Sequence, residues 1–228
     1  MLPMKQNVIA IDGPAGAGKS TVAKKVAEKL GFVYVDTGAM YRAVTSHAID
    51  TGIGLEDVEG IAGVAGTVSI RLTQEAGKLH VWADGTDVTE KIRTPAVTAG
   101  VAKVSQVPEV RQAMVRLQRE MAAQGSAVLD GRDIGTVVLP DACCKVFLTA
   151  STEERARRRW QEMRDKGYEQ ELTELQKEIE QRDQQDSGRE LAPLRQAADA
   201  ALIDTTGVSI DEVVATIVEL FRERSRHV

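Results

Sequence analysis

Residues 13–20, GPAGAGKS, constrain this chain more than any other stretch, because they fit G-x-x-x-x-G-K-[ST] in full. Glycines at these positions let successive backbone N–H groups turn inward around a phosphate. A helix beginning there adds the positive end of its dipole. Lys19 can reach the terminal phosphates of a nucleotide, and the Ser20 hydroxyl can ligate Mg²⁺. The ATP-binding set is therefore Gly13, Pro14, Ala15, Gly16, Ala17, Gly18, Lys19, Ser20 and Thr21. A glycine-rich turn could match by chance. However, the run lies between an apolar strand, NVIAI, and a helix with Val22, Ala23, Val26, Ala27 and Leu30 on one face. The spacing G-x-x-G-x-G does not fit the dinucleotide fingerprint G-x-G-x-x-G, which disfavours a Rossmann dehydrogenase.

The rest of the chain repeats the strand–helix alternation. Gly31 sits where a helix C-terminal glycine is expected. Phe32–Val35 reads as a second strand, ending at Asp36, before a helix carrying Met40, Tyr41, Val44 and Ile49. From about 66 to 88 the period changes. VSIRL and LHVWA alternate apolar and polar residues about the turn Glu75-Ala76-Gly77-Lys78, and Asp84-Gly85 marks a further turn, so antiparallel hairpins are expected. Pro108–Ala123 is expected as a helix with a face of Val110, Met114, Leu117 and Met121. Ala127–Leu129, Lys145–Leu148 and Ala201–Ile203 read as strands. Ser151 with Glu154, and Ser209 with Glu212, have capping-box spacing. The expected fold is α/β: a three-layer phosphate-loop fold with a mostly parallel central sheet, an antiparallel β insert and a charged, helical lid.

Composition removes several classes. A net charge of −5 with 4% aromatic residues argues against general nucleic-acid binding, which uses basic grooves and stacking platforms. The opening MLPMKQNVIAIDG is too soon interrupted for a secretory signal, and no apolar run approaches the ~20 residues that span a bilayer. Cys143 and Cys144 are adjacent in an apolar run and poorly placed to pair, which reads as buried thiols of a reducing cytoplasm. His47, His80 and His227 are scattered and suggest no metal site. A monomer is the default expectation.

A phosphate loop alone does not separate kinase, GTPase and motor. The base-reading N-K-x-D of a GTPase is absent from the sequence, and a motor usually brings more chain. A kinase for a small substrate should add an acceptor pocket, a carboxylate at a strand end that organises Mg²⁺, and a mobile arginine-rich lid. Asp36-Thr37-Gly38 with Tyr41 and Arg42 follows the second strand and is the first candidate; Arg42 could fork onto an acceptor phosphate or simply lie on a helix surface. Asp130, after AVL, is the second, acting on the metal directly or through its waters. Arg155–Arg159, returning through Arg182, Asp183, Asp186 and Arg189, is the third. The run Asp130-Gly131-Arg132-Asp133 taken alone reads equally well as a solvated turn.

The segments IAIDGPAGAGKST (9–21), VDTGAMYRA (35–43), DGRDIGTVVLPDA (130–142), QRDQQD (181–186) and APL (192–194) resemble bacterial cytidylate kinases over nearly the full length, β insert included. The resemblance implies phosphoryl transfer from ATP to CMP and dCMP. It implies core segments at 1–36, 108–152 and 191–228, an acceptor-binding region at 37–107 and a lid at 153–190. By residue, it implies CMP contacts from Asp36, Thr37, Gly38, Tyr41, Arg42, Arg111, Arg132, Asp133, Arg182 and Asp186. Asp133 would accept from cytosine N4 and Arg111 would donate to N3 or O2; uracil reverses both, at about 1–3 kcal/mol for each buried mismatch. Catalytic charge stabilisation falls to Lys19, Arg132, Arg157 and Arg159, with Asp130 and Ser20 toward Mg²⁺. Ala102 stands where some members place a base-contacting serine, and Ser105 lies three residues on. The alternatives are a kinase for another nucleotide or for a non-nucleotide such as shikimate, and a non-catalytic nucleotide- or RNA-binding module.

Overall fold

The computed structural model describes residues 7–75, 77–165 and 167–226. The opening residues 1–6, turn residue Ala76 and His227 lie outside the described residues. The chain forms two units, one running to Tyr34 and resuming at Ala122, the other spanning Val35–Met121.

The first unit is built on β1 (Val8–Asp12), whose five residues are all buried. An apolar, β-branched run of this kind suits a strand covered on both faces. The sheet order is β2-β6-β1-β7-β8, with β2 at Val33–Asp36, β6 at Ala127–Gly131, β7 at Cys144–Thr149 and β8 at Ala201–Asp204. β1 pairs in parallel with β6 and β7, and the register sets Asp12 beside Gly131 and Phe147. The carboxyl ends of the central strands therefore converge, where ligands of open parallel sheets bind.

Helix α1 (Lys19–Leu30) closes on left-handed Gly31, with the Phe32 amide reaching back to the Ala27 carbonyl at 2.8 Å. Phe32 also meets Phe221 edge-on at 5.4 Å. Phe221 belongs to the last helix, Ile210–Ser225, whose Ser209/Glu212 capping box forms in both directions. The box expected at Ser151/Glu154 forms by half. The Ser151 hydroxyl caps the Glu154 amide at 3.2 Å, but the Glu154 carboxylate is taken by Arg157 and Arg158, and the Ser151 amide donates to Thr206. The region 153–190 is two helices, Thr152–Asp165 and Leu172–Ser187, within the first unit. Cys144 is buried and Cys143 half-buried, both as free thiols. Burial pushes the Cys144 thiol up to about 12. Among the described residues, no helix is long and apolar enough to cross a membrane.

The second unit begins with α2 (Thr37–Asp50) and α3 (Val58–Thr67). An antiparallel sheet follows, with β3 at Ile70–Glu75, β4 at Lys78–Ala83 and a two-residue β5 at Thr86–Asp87. Asp84 and Gly85 both take positive φ, the turn that matches strand twist in a two-residue hairpin. A single 3₁₀ turn, Lys91–Arg93, leads into α4 (Pro95–Val104) and α5 (Pro108–Ala122). Helix α5 clusters with this unit, up to Met121, rather than with the core segments. Of its expected face Val110 and Met114 are buried, together with Arg111, Gln118 and Ala122, whereas Leu117 and Met121 are only half-buried, so the face is partly rotated. Of the apolar residues carried by α2, Met40, Tyr41 and Val44 are buried and Ile49 is exposed at the helix end.

Candidate active site

The phosphate loop links β1 to α1 under tight backbone constraint. Gly13 has φ +148°, and a Cβ there would lie 2.0 Å from the Leu148 carbonyl oxygen. Gly16 and Gly18 are left-handed, at φ +78° and +83°. Lys19 is buried, and its ammonium donates to the Pro14 carbonyl at 2.6 Å. Burial holds its pKa well below the ordinary lysine value, helped by Arg132 and Arg182 and opposed by Asp130 and Asp186. Phosphate oxygens entering the loop would supply the counter-charge that this ammonium needs. Ser20, at the surface, donates its hydroxyl to Asp130 Oδ2 at 2.9 Å.

Asp130 ends β6, is buried, and also accepts from the Tyr34 hydroxyl at 2.9 Å. The sequence-predicted pair Ser20/Asp130 is thus brought together, and Tyr34 is an added partner that no local pattern announced. These hard oxygen donors fit Mg²⁺, which uses one or two protein ligands and completes its shell with water and substrate phosphates. Among the described residues, no group of three His, Cys, Asp or Glu side chains forms a closed metal cage.

Beyond Asp130 the chain turns sharply. Arg132 Nε donates to Asp186 Oδ2 at 2.8 Å, and Arg189 pairs with the other Asp186 oxygen. Burial works to raise the Asp186 pKa, but the two guanidinium groups outweigh it and hold the carboxyl below its ordinary value. Asp133 is buried and opens one π-type turn, Ile134–Val138. The donors at that turn's start go to Asp12, whose two oxygens accept from the Ile134 amide at 2.8 Å and the Gly135 amide at 2.7 Å. Burial raises the Asp12 pKa to about 6, against the lowering effect of those two amides. Nothing in the local spacing marks Asp12 as a partner of this turn; its one local signal is an acid ending a wholly apolar strand.

The arginines of Thr152–Asp165, now α6, divide into two pairs. Arg155 is buried and donates to the Ala150 carbonyl (3.0 Å), the Ala15 carbonyl of the phosphate loop (3.1 Å) and the Thr152 hydroxyl (3.2 Å). Its guanidinium also pairs with Asp183 at 2.6 Å, on the helix Leu172–Ser187, now α7. Arg158 holds Glu154 and both oxygens of Thr205. Arg157 and Arg159, the two assigned to the transferring group, instead rest on Glu154 and Glu162 of their own helix. Arg155 thus bonds the loop directly, and Arg158 reaches it only through Thr205, whose hydroxyl donates to the Ala17 carbonyl at 3.4 Å. Arg182 lies on α7 one turn before Asp186.

In the second unit, the Asp36 side chain caps α2 by accepting from the Ala39 amide at 2.8 Å. Gly38 fits closely here, since a Cβ would stand 3.3 Å from Asp36 Oδ1. Thr37 is buried. Arg111 lies over the Tyr41 ring, 5.9 Å from its centroid, so two expected acceptor residues meet. Arg42 donates to the Ile92 carbonyl at 3.2 Å and to the Thr98 hydroxyl at 2.8 Å. The Ser105 hydroxyl donates to the Ala102 carbonyl at 3.0 Å.

The family described as Cytidylate kinase matches residues 9–223. A cytidylate kinase of Desulfitobacterium hafniense (strain Y51) is 54% identical over 97% of this chain and 95% of its own length. That of Shouchella clausii (strain KSM-K16) is 54% identical over 96% of this chain and 97% of its own. That of Halalkalibacterium halodurans is 52% identical over 97% of this chain and 100% of its own. Among solved structures, an uncharacterized protein from Eubacterium ventriosum superposes with TM-score 0.54 at 16% identity, covering 96% of this chain and 99% of its own. A gluconokinase from Sinorhizobium meliloti superposes with TM-score 0.52 at 14% identity, covering 97% and 95%. These two likenesses show the fold.

Proposed function

The chain belongs to the cytidylate kinase family, and from that premise we propose that it transfers the γ-phosphoryl group of ATP to CMP and dCMP, giving ADP with CDP or dCDP. The observation that carries this reading is the junction at the end of β6. Asp130 there engages Ser20 of the phosphate loop, and the next residues are Gly131-Arg132-Asp133. Donor and acceptor chemistry then meet within four residues.

A CMP phosphate oxygen attacks the γ-phosphorus in line, the bond to the bridging oxygen of ADP breaks, and ADP carries away that electron pair. No general base is required, because the acceptor phosphate is already largely ionised near pH 7. Catalysis is positioning and charge stabilisation. Lys19 turns from the Pro14 carbonyl to the β- and γ-phosphates. Mg²⁺, held through Ser20 and Asp130 or its waters, would supply charge neutralisation on the phosphates. Arg132, with Arg42, steadies the acceptor phosphate, and Arg182 and Asp186 act toward the sugar and phosphates. Arg157 and Arg159 must leave their surface carboxylates to join the transferring group, an exchange open to exposed pairs of small net energy. Closure of α6 and α7 would exclude water and suppress ATP hydrolysis. Asp133 and Arg111 read cytosine; Asp36, Thr37, Gly38 and Tyr41 complete the acceptor set. The same reading makes the protein a cytoplasmic monomer that engages neither nucleic acid nor membrane.

The test is ADP release with Mg-ATP against CMP, dCMP, UMP, AMP and shikimate. Fast turnover with CMP and dCMP and weak turnover with UMP are expected. Equal turnover with UMP would remove the base-recognition assignment, and turnover with shikimate alone would remove the acceptor class. Asp133→Ala is expected to damage CMP use far more than ATP binding; equal loss of both would show the residue misassigned.

A further inference from the structure

We infer that Asp12 is a specificity-positioning residue: by capping the turn after Asp133 from a neighbouring strand, it keeps the Asp133 carboxylate from capping that turn itself and so holds it for the base. This rests on the assignment of Asp133 to cytosine.

An aspartate that opens a helical turn normally folds back onto the first amides of that turn, because those donors have no partner within it. Asp133 occupies that opening position. Its carbonyl does the expected work, accepting from the Val137 and Val138 amides at 2.9 and 3.1 Å. The side-chain cap comes instead from Asp12, 122 residues earlier in the chain. Both Asp12 oxygens are used, one on Ile134 and one on Gly135. The site is closed around this carboxylate. Asp12 is 4% exposed, and a Cβ on Gly135 would stand 3.4 Å from its Oδ2 and 3.2 Å from Lys145 Cδ. The charged groups that act on it are Asp133 and Lys19.

A carboxylate is needed for this task and an amide is not equivalent. Asparagine has the same shape but one accepting oxygen, so its NH₂ would face a backbone N–H. One turn amide would then lose its acceptor, and Asp133, at the position from which an aspartate ordinarily caps such a turn, would be drawn toward it. Burying Asp12 is unfavourable, as its raised pKa indicates. The arrangement keeps a costly charge where a neutral residue of equal size would pack.

The experiment compares kcat/KM for CMP and for UMP in the full-length wild type, Asp12→Asn, Asp133→Ala and the double variant, each checked for folding by circular dichroism. Asp12→Asn is expected to lower the CMP:UMP ratio about tenfold while KM for ATP moves less than about twofold. In the Asp133→Ala background it should lower the ratio no further. Equal loss with both nucleotides, or an unchanged increment in the double variant, would overturn the inference and leave Asp12 a structural residue. If Asp133→Ala itself leaves the ratio intact, the base assignment has failed, and the inference falls with it for that distinct reason. Should Asp12→Asn not fold, Gly135→Ala crowds the same carboxylate and should lower the ratio about threefold. An unchanged ratio there overturns the inference equally.

Discussion

In the phosphate loop, Gly13, Gly16 and Gly18 take positive φ, and the shape of the site is written in backbone. In the second unit, Tyr41, Arg42 and Arg111 stand on ordinary helical backbone, and any site they form is made of side chains. The loop also carries its charges buried, with Lys19 and Asp12 inside, whereas Arg42 spends its donors on Ile92 and Thr98. A backbone site tolerates almost no change of covalent shape. A side-chain site can lose one member and keep its fold, and the loss then appears in affinity.

The severest test of that contrast is Gly13→Ala. A Cβ 2.0 Å from a strand carbonyl has nowhere to go, so a stability loss of at least ~3 kcal/mol is expected in urea unfolding. A fully stable variant would break the comparison.

Asp12 gives the next largest effect, through pH. Its carboxyl titrates near 6 in the folded protein against an ordinary value of 3.8. Between those values the folded state binds the extra proton, so this contribution is complete below about pH 4 and is lost as pH rises through 6. The loss is on the order of 3 kcal/mol. Measured at pH 4 and pH 7, wild type should therefore lose that much stability relative to Asp12→Asn; a flat difference would remove the buried charge from the argument.

Arg111→Met sharpens the other side. It keeps the bulk over Tyr41 and should raise KM for CMP about tenfold, near 1.4 kcal/mol, with KM for ATP unmoved. The smallest effect separates the two faces of α6. Arg157→Ala should leave the urea-unfolding midpoint unmoved, because its side chain is exposed, whereas Arg158→Ala, which strips two bonds from Thr205, should cost ~1–2 kcal/mol.

What was legible in the sequence follows the same division. The loop, the apolar strands and the Ser209/Glu212 cap are local patterns that fold as read, whereas the Ser151/Glu154 box forms by half because arginines take its carboxylate. Asp12 and Tyr34 were passed over because their partners lie 122 and 96 residues away. The helices α3 and α4 were missed because small residues blur a helical stripe; the Asp57 cap and Pro95 at the first turn were the usable signals. On α6, Arg157 lies about 200° around the helix from Arg155, a rotation that spacing alone does not tie to the loop. Asp36, Thr37, Gly38, Tyr41 and Arg42 are legible as an acceptor candidate from their place after β2, whereas Arg111 rests on resemblance alone, since nothing in spacing says that Tyr41 and Arg111 will meet.

The position of β1 has a consequence for synthesis. The strand that leads into the phosphate loop emerges well before its neighbours on both sides, which begin at Ala127 and Cys144. At ~5–20 residues per second it waits about 6–25 s for the first of them. Val35–Met121, by contrast, clusters as one uninterrupted stretch, and of its strands only the end of β2 waits for a later partner, β6 at Ala127–Gly131. The nascent chain therefore carries an apolar, β-branched segment in search of a sheet while most of the segment after it can already make its own internal contacts. Ribosome-stalled chains are expected to gain protease resistance in 35–121 first, and near Asp12 only once residues past 149 have left the tunnel.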